Sequence, residues 1–189
     1  MSKPPIVVVM PIVVVMGVSG SGKSTIGKLL AAGLGAGLDA STRVDFAEAD
    51  DFHPAANVAR MAAGSPLDDA DREPWLRSVA DWIAMGRRQG RGGVVACSAL
   101  KRAYRDVLRS ADPNAFFLHL VVNPSTAAAR VATRAGHFMP AVLVDSQFDA
   151  LEPLQPDEAG LELDAGQDPA RTVEVARAAI ARHAGETSR

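Results

Sequence analysis

Short blocks of β-branched and aromatic residues alternate along this chain with longer segments in which apolar residues recur every three or four positions. The first kind of block is typical of strands buried on both faces, and the second of helices with one buried face. Strands that alternate with helices indicate a three-layer α/β/α domain around a mostly parallel sheet. The pattern predicts five strands, at Ile12–Met16, Val44–Ala49, Gly93–Cys97, Phe116–Val122 and Leu161–Asp164.

Capping residues mark the helices between these strands. Asn123-Pro124 and Asp168-Pro169 each place an N-cap before a proline at the first helical position. Asp71 is predicted to cap the helix of the central segment, with Pro74 in its first turn. The last helix takes its buried face from Val173, Ala176 and Ile180, and the polar tail 185–189 is predicted to be disordered.

The first strand is preceded by a copy of itself. PIVVVM occurs twice in succession, and only the second copy runs into a glycine-rich segment. A parallel partner strand needs a crossover of roughly a dozen residues, whereas only Pro11 separates the copies. We therefore expect residues 1–9 to form a poorly ordered extension, with Met10 as an alternative start, and residues 10–184 to form a single domain.

The glycine-rich segment is a phosphate-binding loop. GVSGSGKS at 17–24 fits G-x-x-x-x-G-K-[ST] between a buried strand and an amphipathic helix, which is the context that this pattern requires. Its glycines allow backbone N–H groups to point inward at an anion. Lys23 is then expected to reach the β- and γ-phosphates of a nucleotide, and the Ser24 hydroxyl to bind Mg²⁺. The helix is indicated by Ile26, Leu29, Leu30 and Leu34.

Composition excludes several classes of protein. The 189 residues carry a net charge of −2, with a pI near 6.1, and few aromatic residues, which argues against a nucleic-acid binder. No apolar run reaches the ~18 residues of a membrane span. A lone cysteine, Cys97, permits no internal disulfide and fits a cytoplasmic protein.

A phosphate loop identifies a nucleotide site but not a reaction. The positions of the acidic residues are needed to distinguish between classes of nucleotide-binding protein. The N-K-x-D motif of guanine-binding switches is missing, and the strand Gly93–Cys97 runs into Ser98 where motor ATPases carry an Asp. The best source of a carboxylate is the pair Asp50-Asp51, which follows a strand at the edge where such sheets bind ligands. One of these carboxylates could orient and deprotonate a hydroxyl and help to bind Mg²⁺, or Asp50 could only cap the next helix.

Two groups of basic residues follow later strands. Lys101 and Arg105 share a helical face and could bind an anionic substrate, although such charges are often merely solvated. Arg130 and Arg134 form an i, i+4 pair before a segment with glycine and proline, which is typical of a lid that closes over ATP. We place this lid at about 130–142.

Four stretches together resemble the small bacterial-type gluconokinases, relatives of shikimate kinases and nucleoside monophosphate kinases. They are GVSGSGKST at 17–25, ADDFHPAANVARMAAGSPLDDADREPWL at 49–76, CSALKRAYRD at 97–106 and RAGHFMPAVLVDSQFDALEP at 134–153. The resemblance covers nearly the whole chain from Met10. It implies phosphorylation of the 6-hydroxyl of D-gluconate by MgATP, in a cytoplasmic homodimer.

The resemblance also implies roles for individual positions. Lys23, Asp50 and Arg134 would be catalytic, and Ser24 and Asp50 would serve Mg²⁺. ATP would contact Gly17, Val18, Ser19, Gly20, Ser21, Gly22, Lys23, Ser24, Thr25, Arg130, Arg134, Asp168 and Pro169. D-Gluconate would contact Asp50, His53, Asn57, Arg60, Arg72, Lys101 and Arg105, and an arginine fork among Arg60, Arg72 and Arg105 would suit its carboxylate.

Two alternatives remain at this point. A kinase of this type could act on another small acid, such as shikimate. A protein of a different class, a nucleotide-dependent switch with little turnover, could use the same phosphate loop. The absent guanine motif and the predicted lid count against the switch.

Overall fold

A computed structural model describes residues 11–36, 43–133 and 143–187 of the chain. Its five strands are β1 Ile12–Met16, β2 Val44–Glu48, β3 Gly92–Ala96, β4 Phe116–Val121 and β5 Gly160–Asp164. Its helices are α1 Lys23–Gly35, α2 Ala55–Ala62, α3 Asp69–Arg88, α4 Arg102–Ala111, α5 Pro124–Thr133, α6 Leu143–Ala150 and α7 Pro169–Thr187, with a 3₁₀ turn at Ala49–Phe52. Each predicted strand is found within a residue or so of its expected ends.

The sheet is parallel throughout, in the order β2-β3-β1-β4-β5. The central strand β1 is fully buried because helices cover both faces of the sheet. On one face of the sheet α3 and α4 pack through Trp75 and Leu108. On the other face α1 and α7 pack through Leu30 and Ile180. The predicted three-layer α/β/α architecture is confirmed.

Two helix starts are confirmed and a third is shifted. Asn123 Oδ1 accepts the N–H of Thr126, and Asp168 Oδ1 accepts those of Ala170 and Arg171. The N-cap of α3 is Asp68, not Asp71, because these two aspartates form a reciprocal capping box in which each side chain accepts the backbone N–H of the other.

Other expectations need correction or lie outside the described residues. Pro74 falls inside α3 rather than in its first turn. Leu29 is 45% exposed, so it does not belong to the buried face of α1. The helix α7 continues to Thr187, into the segment predicted as a disordered tail. The extension 1–9 and the lid from Arg134 to residue 142 lie outside the described part of the chain.

A buried ion pair fixes the segment after α6 to the start of α4. Arg105 and Glu158 are both fully buried, and Nε and Nη2 of the arginine donate to the two carboxylate oxygens at 2.6 and 2.8 Å. The remaining guanidinium donors meet the carbonyl oxygens of Ala99, Leu100, Glu152 and Pro153. Arg105 lies on the predicted face of α4, but that face is the buried one, and its donors are already taken. This arrangement does not support the prediction that Arg105 binds substrate.

The turn between β3 and α4 contacts Arg105 of this pair through two carbonyl oxygens. Ala99 has a left-handed backbone with φ of 44°, which L side chains rarely adopt. It is completely buried, and its carbonyl oxygen faces Arg105.

Cys97, directly after β3, is buried, and burial raises the pKa of its thiol to about 12. In the described residues no helix is long and apolar enough to cross a membrane.

Candidate active site

The phosphate loop connects the carboxyl end of β1 to α1. Gly20 and Gly22 have φ of 82° and 92°, in the left-handed region that favours glycine. At Gly20 space is a second constraint, since a Cβ atom there would lie 2.5 Å from the carbonyl oxygen of Ala127 in α5. At the base of the loop, the N–H of Gly17 donates to Ser98 O at 3.2 Å. The loop is thus fitted against the turn after β3 on one side and against α5 on the other.

Lys23 and Ser24 are the first two residues of α1, directly after the loop glycines. Lys23 Nζ donates to Val18 O at 3.0 Å, which folds the side chain over the loop. Ser24 Oγ donates to Glu48 Oε2 at 3.1 Å. Glu48 is not among the site residues predicted from the sequence. It is the last residue of β2 and therefore lies at the carboxyl edge of the sheet.

Asp50 lies in the same cavity as the phosphate loop. This cavity has a volume of about 330 Å³ and is lined by Ser19, Gly20, Gly22, Lys23, Ser24, Thr25, Glu48, Asp50, Ala96, Arg130, Val131 and Thr133. The helix α2 begins after Pro54 and has no side-chain cap. The alternative role of Asp50, as a cap for this helix, is therefore not observed.

Oxygen ligands for a divalent cation converge in this cavity. Ser24 Oγ and the Glu48 carboxylate are already in contact, and Asp50 contributes a further carboxylate to the lining. Such hard oxygen donors suit Mg²⁺, which usually binds one or two carboxylates together with phosphate oxygens. Among the described residues there is no cluster of three or more histidines, cysteines or carboxylates of the kind that holds a metal without a substrate.

His53 follows Asp50 at the end of the 3₁₀ turn and stacks on Trp75, with ring centroids 4.3 Å apart and an angle of 10° between the rings. Burial lowers the pKa of His53 to about 4, against the opposing charge of Asp50, and Arg72 lowers it further. The imidazole is consequently neutral at physiological pH. It lies within electrostatic reach of both Asp50 and Arg72.

We expect the NMR signals of the His53 ring to stay unshifted from pH 8 down to about pH 5.5, with a His53→Gln variant to identify them. An unfolded histidine titrates near pH 6.5. Between about pH 6.5 and 4 the unfolded chain therefore binds a proton at His53 that the folded chain does not bind. The unfolding free energy should therefore fall as the pH drops from about 6.5 towards 4, and less so in His53→Gln. A folded-state midpoint near 6.5 would contradict this environment.

A second cavity, of about 550 Å³, opens between α3, α4 and α6. Arg72, Lys101 and Tyr104 line it together with Asp69 and Ser146. Lys101 Nζ donates to both oxygens of Asp69 at 2.7 and 2.9 Å, and the Tyr104 hydroxyl donates to the same carboxylate. Hydrogen bonds from Lys101 and Tyr104 lower the pKa of Asp69. We call this space the acceptor cavity.

Arg72 is the arginine best placed to bind an anion in the acceptor cavity. Its guanidinium lies 5.9 Å from the Tyr104 ring centre, and Nε donates to Leu67 O at 3.3 Å. Two other predicted substrate residues are engaged elsewhere, since both contact Asp71 at the start of α3. Asn57 Nδ2 donates to its carbonyl oxygen at 2.7 Å, and Arg60 Nη1 donates to its carboxylate at 2.6 Å.

A third cavity, of about 310 Å³, continues from the phosphate loop towards α7. Arg130 borders it and joins its two sides, because its guanidinium donates to Gly20 O at 3.2 Å and to Ala165 O at 3.1 Å. Pro169 lines this cavity, and Ser21, Gly22 and Thr25 line it from the loop side. The carboxylate of Asp168 is used as the cap of α7.

Comparison with known proteins gives a consistent result. The chain is 43% identical over 168 residues to the thermosensitive gluconokinase of Escherichia coli (strain K12), which covers 88% of this chain and 86% of that protein. It is 44% identical over 156 residues to the gluconokinase of Gluconobacter oxydans (strain 621H), with 82% and 83% covered. The crystal structure of a gluconokinase from Sinorhizobium meliloti 1021 superposes with a TM-score of 0.81 at 38% identity, covering 95% and 97% of the two chains. No protein-family model matches.

Proposed function

This chain belongs to the gluconokinase family and phosphorylates gluconate with ATP, and we propose that Lys23, Asp50 and the acceptor cavity carry out the transfer to the 6-hydroxyl. The observation that carries this assignment of residues is the shared cavity in which the phosphate loop faces Asp50. Phosphoryl transfer of this type depends on positioning and charge stabilisation rather than on a covalent enzyme intermediate.

The nucleotide would bind along the two cavities that meet at the phosphate loop. Backbone N–H groups of residues 20–25 would surround the phosphates, and Lys23 would turn from Val18 O towards the γ-phosphate. The adenosine would extend into the cavity bordered by Arg130 and Pro169. We propose that Arg134 adds positive charge from the lid, whose bounds of about 130–142 also remain a proposal.

Asp50 would act on the acceptor hydroxyl. Its carboxylate accepts the proton of the gluconate 6-hydroxyl as that oxygen attacks the γ-phosphorus, and the bond to the bridging oxygen of ADP breaks. Ser24, Glu48 and Asp50 would hold Mg²⁺, whose role when bound is to neutralise charge on the phosphate oxygens. Glu48 joins the two predicted Mg²⁺ residues because its carboxylate accepts the Ser24 hydroxyl at 3.1 Å.

The remaining length of gluconate would extend into the acceptor cavity. Arg72 and Lys101 supply the positive charge for its carboxylate, and Asp69 and Ser146 supply acceptors and a hydroxyl for its hydroxyl groups. His53, neutral and stacked on Trp75, lies within electrostatic reach of both Asp50 and Arg72 and would contact gluconate between them. An arginine fork binds a carboxylate in a bidentate manner, so Arg72 is our candidate for the main contact.

The test is ADP release from MgATP against a panel of acceptors, with each product identified by mass. The panel contains D-gluconate, other sugar acids, shikimate, nucleoside monophosphates and D-glucitol, which has the same carbon chain as gluconate without the carboxylate. We expect efficient phosphorylation of gluconate and at most slow turnover of glucitol. A preference for another acid would refute the proposed use of the acceptor cavity, and release of ADP without any acceptor would favour a nucleotide switch.

Three further proposals rest on the family resemblance. We propose a homodimer, a cytoplasmic location and a single kinase domain that begins near residue 10 and includes the whole of α7. Size-exclusion chromatography with light scattering tests the first of these. A monomeric mass at micromolar concentration would contradict it.

A further inference from the structure

We propose that α6 couples the two substrate sites and that Gln147 is the positioning residue which transmits this coupling to the phosphate loop. This inference rests on the proposed function, because it assigns the acceptor cavity to gluconate. It predicts that each substrate tightens the binding of the other, and that the effect depends on one side chain which contacts neither the reacting hydroxyl nor the base.

A hydrogen bond from Ser19 connects the loop side of α6 to the phosphate loop. Gln147 is 7% exposed, and its Oε1 accepts the N–H of Ser19 at 2.7 Å. Ser19 lines the phosphate cavity. The next residue, Gly20, lies so close to Ala127 of α5 that a Cβ atom there would be 2.5 Å from the Ala127 carbonyl oxygen. The tip of the phosphate loop is therefore held between two helices, and its position depends on where α6 lies.

The other side of α6 faces the acceptor cavity. Ser146 and Ala150, which share one face at i, i+4 spacing, line this cavity together with Arg72 and Lys101. Gln147 directly follows Ser146 and points to the phosphate loop instead. One short helix thus carries adjacent residues into both substrate sites.

Contacts at both ends of α6 hold it as one packed element. Val144 belongs to a small apolar cluster with Val18 of the loop, Leu100 and Ala127. At its carboxyl end, the N–H of Glu152 donates to Leu100 O at 2.8 Å, and the Arg105–Glu158 pair holds the following segment. Packed elements of this kind change position as a whole rather than bend. A ligand that contacts Ser146 would therefore also change the position of Gln147 relative to Ser19.

Coupling of this kind is reciprocal. A ligand that holds α6 in the position where Gln147 reaches Ser19 prepares the loop for phosphate, and bound phosphate in turn stabilises the same position of α6. By linkage, the factor by which gluconate tightens nucleotide binding must equal the factor by which nucleotide tightens gluconate binding. Couplings of this origin commonly amount to roughly 5- to 150-fold.

The experiment measures the dissociation constants of magnesium AMPPNP with and without saturating gluconate, and of gluconate with and without magnesium AMPPNP, by calorimetry. In the unaltered protein we expect a ratio of at least about 5 in both directions. Gln147→Met removes the acceptor for Ser19 N–H while keeping the side-chain length, and should reduce both ratios to below about 2. Gln147→Glu keeps an acceptor oxygen but adds charge near the phosphates, so it should weaken nucleotide binding and retain the ratio.

Gln155→Met is the matched control, because the Gln155 amide donates to Pro153 O on the exposed loop after α6; it should leave the ratio unchanged. If Gln147→Met keeps the full ratio, or weakens nucleotide binding equally with and without gluconate, Gln147 has only a structural role and the inference is overturned. If Gln147→Met does not fold, Gln147→Asn withdraws the same oxygen and is expected to lower the ratio in the same way. A ratio of 1 in the unaltered protein also overturns the coupling, whereas loss of gluconate-dependent ADP release would refute the proposed function itself.

Discussion

Asp50→Asn is expected to lower the turnover number for gluconate by about 10²- to 10⁴-fold, the range typical of a lost general base. The amide keeps the size of the side chain but can no longer accept the hydroxyl proton. Asp50 lines the phosphate cavity and lies outside the apolar core, so the variant should fold normally. Steady-state kinetics with ADP detection, combined with thermal unfolding, separates the loss of chemistry from a loss of structure.

Asp51→Asn is a matched control for this experiment. Asp51 is the next residue in the same 3₁₀ turn, but it is exposed and does not line the phosphate cavity. Its replacement should change turnover by less than about threefold, since surface substitutions away from a site have small effects. Near-normal turnover in Asp50→Asn would remove Asp50 from the chemistry, and equal losses in both variants would point to damage of the turn.

Arg105→Met is expected to destabilise the fold by about 3–5 kcal/mol, because it leaves the Glu158 carboxylate buried without its counter-charge. That is a large fraction of the ~5–15 kcal/mol by which a domain of this kind is stable. Denaturant unfolding followed by Trp fluorescence measures the change. The double variant Arg105→Met, Glu158→Leu should recover much of the loss, since no uncompensated charge then remains.

The control is Arg109→Met on the same helix, one turn further on. Among the described residues, Arg109 pairs with exposed Asp106 and Asp157, and surface ion pairs of this type contribute ~0–1 kcal/mol. If Arg105 instead contacted gluconate, Arg105→Met would raise the KM for gluconate and leave stability close to that of Arg109→Met. The stability comparison therefore decides between the two roles.

Local sequence signals were sufficient for the sheet and the phosphate loop. β1 and β3 are continuous apolar runs, and each strand's end is marked by a change of residue type, so their positions follow from chain-local physics. The same holds for the cap residues Asn123 and Asp168. Glu48 could have been found by the rule already applied to Asp50, since both residues come at the carboxyl end of β2.

The roles of Arg105 and Gln147 could not be predicted from local signals. Arg105 has the spacing of a ligand-binding residue, and only the fold brings Glu158 against it from a distant part of the chain. Gln147 meets Ser19 across an even longer separation. A charged or polar residue on a helix gives no sign in the sequence of whether its partner is solvent, substrate or a remote side chain.

The position of β1 at the centre of the sheet has a consequence for how the chain is made. β1 is translated first, but the strands that flank it, β3 and β4, begin only at Gly92 and Phe116. At a synthesis rate of ~5–20 residues per second, on the order of several seconds pass before either partner exists. During that interval β1, a continuous apolar run, has no partner strand on the ribosome. Nascent chains that stop before Val121 are therefore the species from which aggregation should start.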